Sequence, residues 1–181
     1  MKMLKKLLAI VLTGAMALTL LTACGGNAVN DKNIADALND IVKSSVAAGL
    51  TKDYTFKPRT DEQAMAKAIA ALSEAEWNTK GDGDNKFSGP VMKILELNEG
   101  GKNETSCFVW YGAVFADEIG VTGQAYNVMN NILSKDAVNA DKLEGEPADI
   151  RYIGTALDTL TIYGKQTTVR IIVVTAPVEK K

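Results

Sequence analysis

Apolar residues follow three different spacings along this chain. From Leu7 to Leu21 they form a nearly unbroken run, from about 31 to 79 they recur every three or four residues, and from Val91 onward they tend to alternate. The helical spacing predicts a first helix opening at Asp31 or Asn33 and running to about Ala48. Ile34, Leu38, Ile41, Val42 and Val46 share one of its faces, and Gly49 ends it. Lys52 to Arg59 reads as a connector, extended near Tyr54 and Phe56, with Pro58 barring helix just before it. A second helix is expected to open with Thr60 at the N-cap and Gln63 three residues later as a capping box. Met65, Ile69, Leu72 and Trp77 form its apolar stripe, as far as about Thr79. A third helix, capped by Thr122, carries Val121, Ala125, Val128, Met129, Ile132 and Leu133 on one side.

The alternating stretches predict strands. Val91 to Asn98 and Thr105 to Phe115 flank a glycine-containing turn at Glu99 to Lys102, which reads as a hairpin. Ile150 to Thr155 reads as an edge strand. Thr159 to Tyr163 and Thr168 to Thr175 flank Gly164-Lys165, where glycine in the first turn position suits a type II′ hairpin. Val169 to Val174 is apolar on both faces save Arg170, as a central strand is, and Pro177 is expected to stop it. Helices and hairpins are segregated, which predicts an α+β fold. The expected architecture is an antiparallel sheet of four to five strands in two hairpins, covered on one face by about three helices. It forms a single domain from 31 to 177 with a polar tail at 178–181.

The first two dozen residues follow a different logic. Lys2, Lys5 and Lys6 precede the apolar run, no acid accompanies them, and the run closes on Leu21-Thr22-Ala23-Cys24 before Gly25. A cationic start, an apolar core and small residues before a cut make a secretory signal. Leu7 to Ala23 is 17 residues, at or just below the roughly 20 that a spanning helix needs. The ending resembles the lipobox of bacterial lipoproteins. That resemblance implies diacylglycerol on the Cys24 thiol, with acyl chains such as palmitate, and removal of residues 1–23. It also implies a lipidated Cys24 followed by a short tether, together residues 24–30. The protein would then be extracytoplasmic and held to the membrane through its N-terminal lipid. Its place would be the outer face of the plasma membrane in a Gram-positive cell. In a Gram-negative cell it would be the outer membrane, since Gly25 stands where an aspartate resembling a retention signal would be.

Charge and cysteine narrow the function. Without Lys2, Lys5 and Lys6 the 20 basic residues fall to 17 against 22 acidic ones, a net charge of −5. Such a balance disfavours nucleic acid as a partner. Of the two cysteines, Cys24 is assigned to the lipid, which leaves Cys107 without an intrachain disulfide partner. Cys107 lies in the β-rich run Cys107-Phe108-Val109-Trp110-Tyr111, and there is no histidine to activate it. It is expected to be a buried structural residue.

The chemistry that can be named is sparse. Without histidine there is no Ser-His-Asp or Cys-His catalysis and the commonest zinc ligand is missing. No phosphate loop, dinucleotide fingerprint or G-x-S-x-G is present. Asp82 and Asp84 start like a calcium loop, but Lys86 takes the next ligand position, so a solvated turn is expected and no metal or other cofactor is assigned. Carboxylate pairs for glycan cleavage are limited to Glu74 with Glu76 and Asp117 with Glu118, and neither spacing singles itself out. Alternation sends Phe108 and Trp110 to one face and Tyr111 and Phe115 to the other. One of these faces, with Arg151, Tyr152 and Tyr163, is the expected binding surface. The leading reading is a non-catalytic membrane-anchored module that binds a protein or small molecule. A carboxylate hydrolase of the cell envelope and a purely structural envelope protein stay open beside it.

Overall fold

The computed structural model describes residues 31–78, 87–97, 107–116 and 119–179. The lipobox residues Leu21, Thr22, Ala23 and Cys24 and the tether at 25–30 lie outside them, as do most of the acidic glycine loop, the turn at 99–102, Asp117 with Glu118, and the last two lysines.

The fold is α+β and is built around β5 (Lys165–Glu179). Its alternate residues are apolar on both sides, so both of its faces need cover. Ile172, Val174 and Ala176 meet Ile34, Leu38 and Val42 of helix α1 (31–47), while Ile171 and Val173 sit with Ala66 and Ile69 on the opposite face. The expectation of helices on one face is therefore corrected. The sheet lies between two helical layers, and about five helices are present among the described residues rather than three. One layer is α1 with α5 (Val121–Val128), and the other is α2 (Thr60–Ala70), α3 (Glu74–Trp77) and α4 (Gly89–Ile94). No helix among the described residues is long and apolar enough to cross a membrane.

Among the described residues the sheet has five strands and is mixed, not antiparallel throughout. β1 (Thr55–Pro58) runs parallel to β4 (Ile150–Ile162), β4 pairs antiparallel with β5, and β5 pairs antiparallel with β2 (Cys107–Phe115). The short β3 (Glu146–Pro147) pairs with the end of β5. From Pro147 to Tyr152 the chain takes five steps while β5 takes three from Val178 to Thr175, which is a bulge. Pro177 faces that bulge, where a missing N–H costs no ladder bond, so β5 passes through it to Glu179 instead of stopping. Val178 and Glu179, expected in the tail, are thus part of the sheet.

Other expectations fail for local reasons. The expected strand from Val91 is helix α4: Ser88 and Pro90 open it, and Val91, Met92 and Leu95 are buried at helical spacing. Its loss removes one hairpin, and β2 takes β5 as its partner. Thr60 is the first residue of α2 and makes no cap; the amide of Gln63 is spent on Asp31 instead. The capping box lies at Ser73 and Glu76, where the second helix restarts as α3. The β4–β5 turn is Tyr163-Gly164, with φ of 49° and 77°, so it has the type I′ form and not the II′.

Candidate functional site

β2 is an edge strand, and its ladder fixes which backbone groups face outward. Ala116 N–H donates to Thr168 on β5, whereas Val109 N–H and C=O turn away from the sheet. In an antiparallel ladder this alternates, so Tyr111, Ala113 and Phe115 also present their N–H and C=O groups outward. The chain covers the first part of this edge itself. Val138 N–H donates to Val109 C=O at 2.7 Å. The buried Asn139 side chain accepts from Val109 N–H at 3.0 Å and donates to Cys107 C=O at 2.8 Å. Beyond Val109, no backbone partner for this edge stands among the described residues.

Two walls flank the uncovered stretch. On one side stand Trp77, Asn78, Phe87 and Leu160; on the other stand Asn127 and Asn131, then Ile132 and Lys135. Together with Tyr111 to Phe115 they enclose a groove of about 740 Å³, and a neighbouring hollow of about 560 Å³ continues it past Trp110 toward Val138. The second wall is shaped by a π-helical turn, Met129–Leu133, closed by Ser134 N–H to Met129 C=O at 2.8 Å. That turn buries Ile132 beside Gly112, where a Cβ would lie only 3.0 Å from the Ile132 side chain, and it leaves Asn131 exposed at the groove. Such turns are frequent at functional sites. The first wall holds Tyr111, whose hydroxyl donates to Trp77 C=O at 3.2 Å and whose ring meets Phe87 edge-on at 5.1 Å. Burial, and secondarily Asp158, pushes that hydroxyl's pKa well above its usual value, so it stays protonated. The buried indole N–H of Trp77, in the same wall, has no acceptor among the described residues.

The six residues expected to form one binding face are divided. Phe108 and Trp110 are buried beneath α1 and α5. Arg151 joins them, with its guanidinium 3.9 Å from the Tyr54 ring and 5.0 Å from Trp110, so its cationic face is already occupied. Tyr152 lies on the other face under Arg59, at 4.0 Å. Tyr163 stands fully exposed at the hairpin tip. Of the six, only Tyr111 and Trp110 reach the groove walls. Cys107 is half-buried at the start of β2, not deep in the core.

Reading the sequence missed two buried carboxylates. Glu62, fully buried, accepts from Thr175 Oγ1 at 2.5 Å and from Arg59 Nε at 2.7 Å. Asp31 accepts from Gln63 Nε2 at 2.8 Å and from the Thr155 hydroxyl. Thr155 in turn accepts from Arg170 at 3.1 Å, and Arg170 donates to Gln124 at 2.8 Å. Desolvation raises the Asp31 pKa, offset by the Thr155 and Gln63 hydrogen bonds and by the Arg170 charge; desolvation lowers that of Arg170. Both carboxylates sit at first-turn positions of helices, where an acid is ordinarily a solvated dipole partner, so nothing in the sequence marked them as buried.

The acids considered for glycan cleavage are used locally. Glu74 accepts from Thr161 N–H at 3.1 Å, and Glu76 caps α3 through Ser73, whose hydrogen bonds lower its pKa. Among the described residues no group of three or more acids and cysteines is gathered where it would hold a metal ion. Comparison with protein-family models, with curated proteins and with solved structures finds no match for the chain.

Proposed function

We propose that the protein is an extracytoplasmic lipoprotein whose folded domain is a binding module held close to a membrane. The groove along the uncovered edge of β2 carries the binding half of this reading: it is walled by aromatic and amide side chains and lined by backbone groups without partners among the described residues. The lipid half rests on the order of Lys2, Lys5 and Lys6, the apolar run and Leu21-Thr22-Ala23-Cys24. Asp31 is already buried and bonded to the core, so only residues 25–30 separate the domain from Cys24. Six residues reach about 20 Å at ~3.3–3.6 Å each, and two acyl chains suffice for stable anchoring where one is marginal.

Membrane fractionation and intact-mass measurement of the native protein beside a Cys24→Ala variant test the anchor. The wild type is expected in the membrane fraction at the mass of a lipidated chain beginning at Cys24, and the variant is expected to lose the lipid mass. A wild type that is soluble, or that keeps residues 1–23 without lipid, overturns it.

A further inference from the structure

We infer that the open edge of β2 takes an extended peptide as an added strand. The inference rests on the binding-module reading above and names the partner of that same groove. Tyr111, Ala113 and Phe115 present outward-facing N–H and C=O groups, which is the pattern an incoming strand needs. The edge already accepts such an addition one step away, where Val138 and the Asn139 side chain occupy Cys107 and Val109 in strand-like fashion. A peptide would continue that line across the remaining five residues.

The walls select its side chains. Successive residues of a strand point to opposite faces. One set of peptide side chains therefore meets Trp77, Phe87 and Leu160, and the alternate set meets Asn127 and Asn131. The partner is an extended segment that alternates apolar and amide- or hydroxyl-bearing residues. A second copy of this chain fits less well. The edge lies recessed between two walls, and two recessed edges collide at their rims before their backbones meet, whereas a single chain enters.

β2 itself shows why the edge needs a partner. Cys107-Phe108-Val109-Trp110-Tyr111-Gly112-Ala113-Val114-Phe115 holds no charge and no proline, the devices by which exposed edges ordinarily avoid pairing. Ala113 is exposed and small, so its own side chain leaves the approach at the centre clear.

The test uses the full-length chain in detergent and a library of synthetic nonapeptides alternating Val, Leu or Phe with Thr, Ser or Asn, read by fluorescence polarisation. Members are expected to bind. Ala113→Pro removes an outward N–H that the β5 ladder does not use, and is expected to weaken binding by about tenfold or more, the equivalent of one hydrogen bond. The best peptide, N-methylated on the alternate amides that face β2, is expected to lose binding to the same degree. Methylation in the other phase is expected to leave it nearly unchanged. This last pair uses the wild-type chain, so it decides the matter even where Ala113→Pro fails to fold. Binding indifferent to the phase of methylation, or unchanged in a folded Ala113→Pro chain, overturns the edge while leaving a binding module elsewhere intact. Dimerisation abolished by Ala113→Pro gives the edge to a second copy and overturns the peptide. No binding by any member overturns both the peptide and the groove's role. Lipidation at Cys24 is measured separately and stands or falls independently.

Discussion

The two outer edges of the sheet are finished in opposite ways. On the β4 side, β1 covers the first residues in parallel, and Arg59 N–H extends the ladder to Ile153 C=O at 3.1 Å. The chain then turns into α2, whose first turn lies directly on Gly154, and Asp31 closes on Thr155. Backbone, helix and carboxylate together seal that side as far as Thr155. On the β2 side, Val138 and Asn139 seal two residues and stop. The first edge is fitted with groups that have no reason to move; the second is an apolar strand with walls and no lid among the described residues. The contrast separates the part of the sheet that holds the fold together from the part free to meet something else.

Two glycines give the largest expected difference between the edges. A Cβ at Gly154 would sit 2.0 Å from Gln63 N and 2.1 Å from the Glu62 carbonyl carbon, which are backbone atoms and have nowhere to go. Gly154→Ala is expected to destabilise the protein by about 3 kcal/mol or more, seen as a lower denaturation midpoint. At Gly112 the obstacle, at 3.0 Å, is the Ile132 side chain and no backbone atom, so only a side chain has to give. Gly112→Ala is expected to cost only about 1 kcal/mol. Equal losses in the two variants would mean that α2 holds Gly154 no more tightly than Ile132 holds Gly112.

Asn139→Ala removes both hydrogen bonds to Val109 and Cys107 and leaves buried backbone groups unpaired, at a cost of roughly 2 kcal/mol. Amide exchange at Val109 should accelerate in this variant while that of Ile153 stays slow. Uniform acceleration would show that the edge opens only with the whole domain.

Asp31 gives a smaller, pH-dependent signal. Its folded pKa is raised above the ordinary 3.8, chiefly by burial. An acid with a raised pKa contributes stability below its unfolded value, and this contribution is lost as pH rises through the folded value. Between wild type and Asp31→Asn, the stability difference should therefore move against the wild type as pH climbs above about 4 and then level off. A difference that instead moves toward the wild type would mean that Arg170 and the hydrogen bonds outweigh desolvation. Ala113→Pro should have the smallest effect on stability, below about 1 kcal/mol, since its N–H serves no bond within the sheet; a thermal melt checks it.

Much of the architecture was legible because it is local. The Ile34–Leu38–Val42 stripe with Gly49 at its end made α1 plain, and the doubly apolar Val169–Val174 marked the central strand. Val91 to Leu95 was ambiguous because apolar residues so close together fit either period, and Pro90 was the stronger sign. The parallel pairing of β1 was not legible, since four residues cannot announce a partner almost a hundred positions away. The groove was illegible for a related reason. Trp77, Phe87, Tyr111 and Asn131 meet only through the strand order, and the aromatics that drew notice, Phe108 and Trp110, were dominated by core packing.

The polar start of α1 has a mechanical side. Any tension on the chain ahead of residue 31 enters the domain at Asp31, which is bonded to Thr155 on β4 and to Gln63 on α2. Through Thr155 and Arg170 the pull passes into β5 and on to Gln124 of α5. It is thus shared among β4, β5, α2 and α5 rather than carried by a single element. In a domain moored at that end, the open margin of β2 lies two strands away from the point that bears the strain.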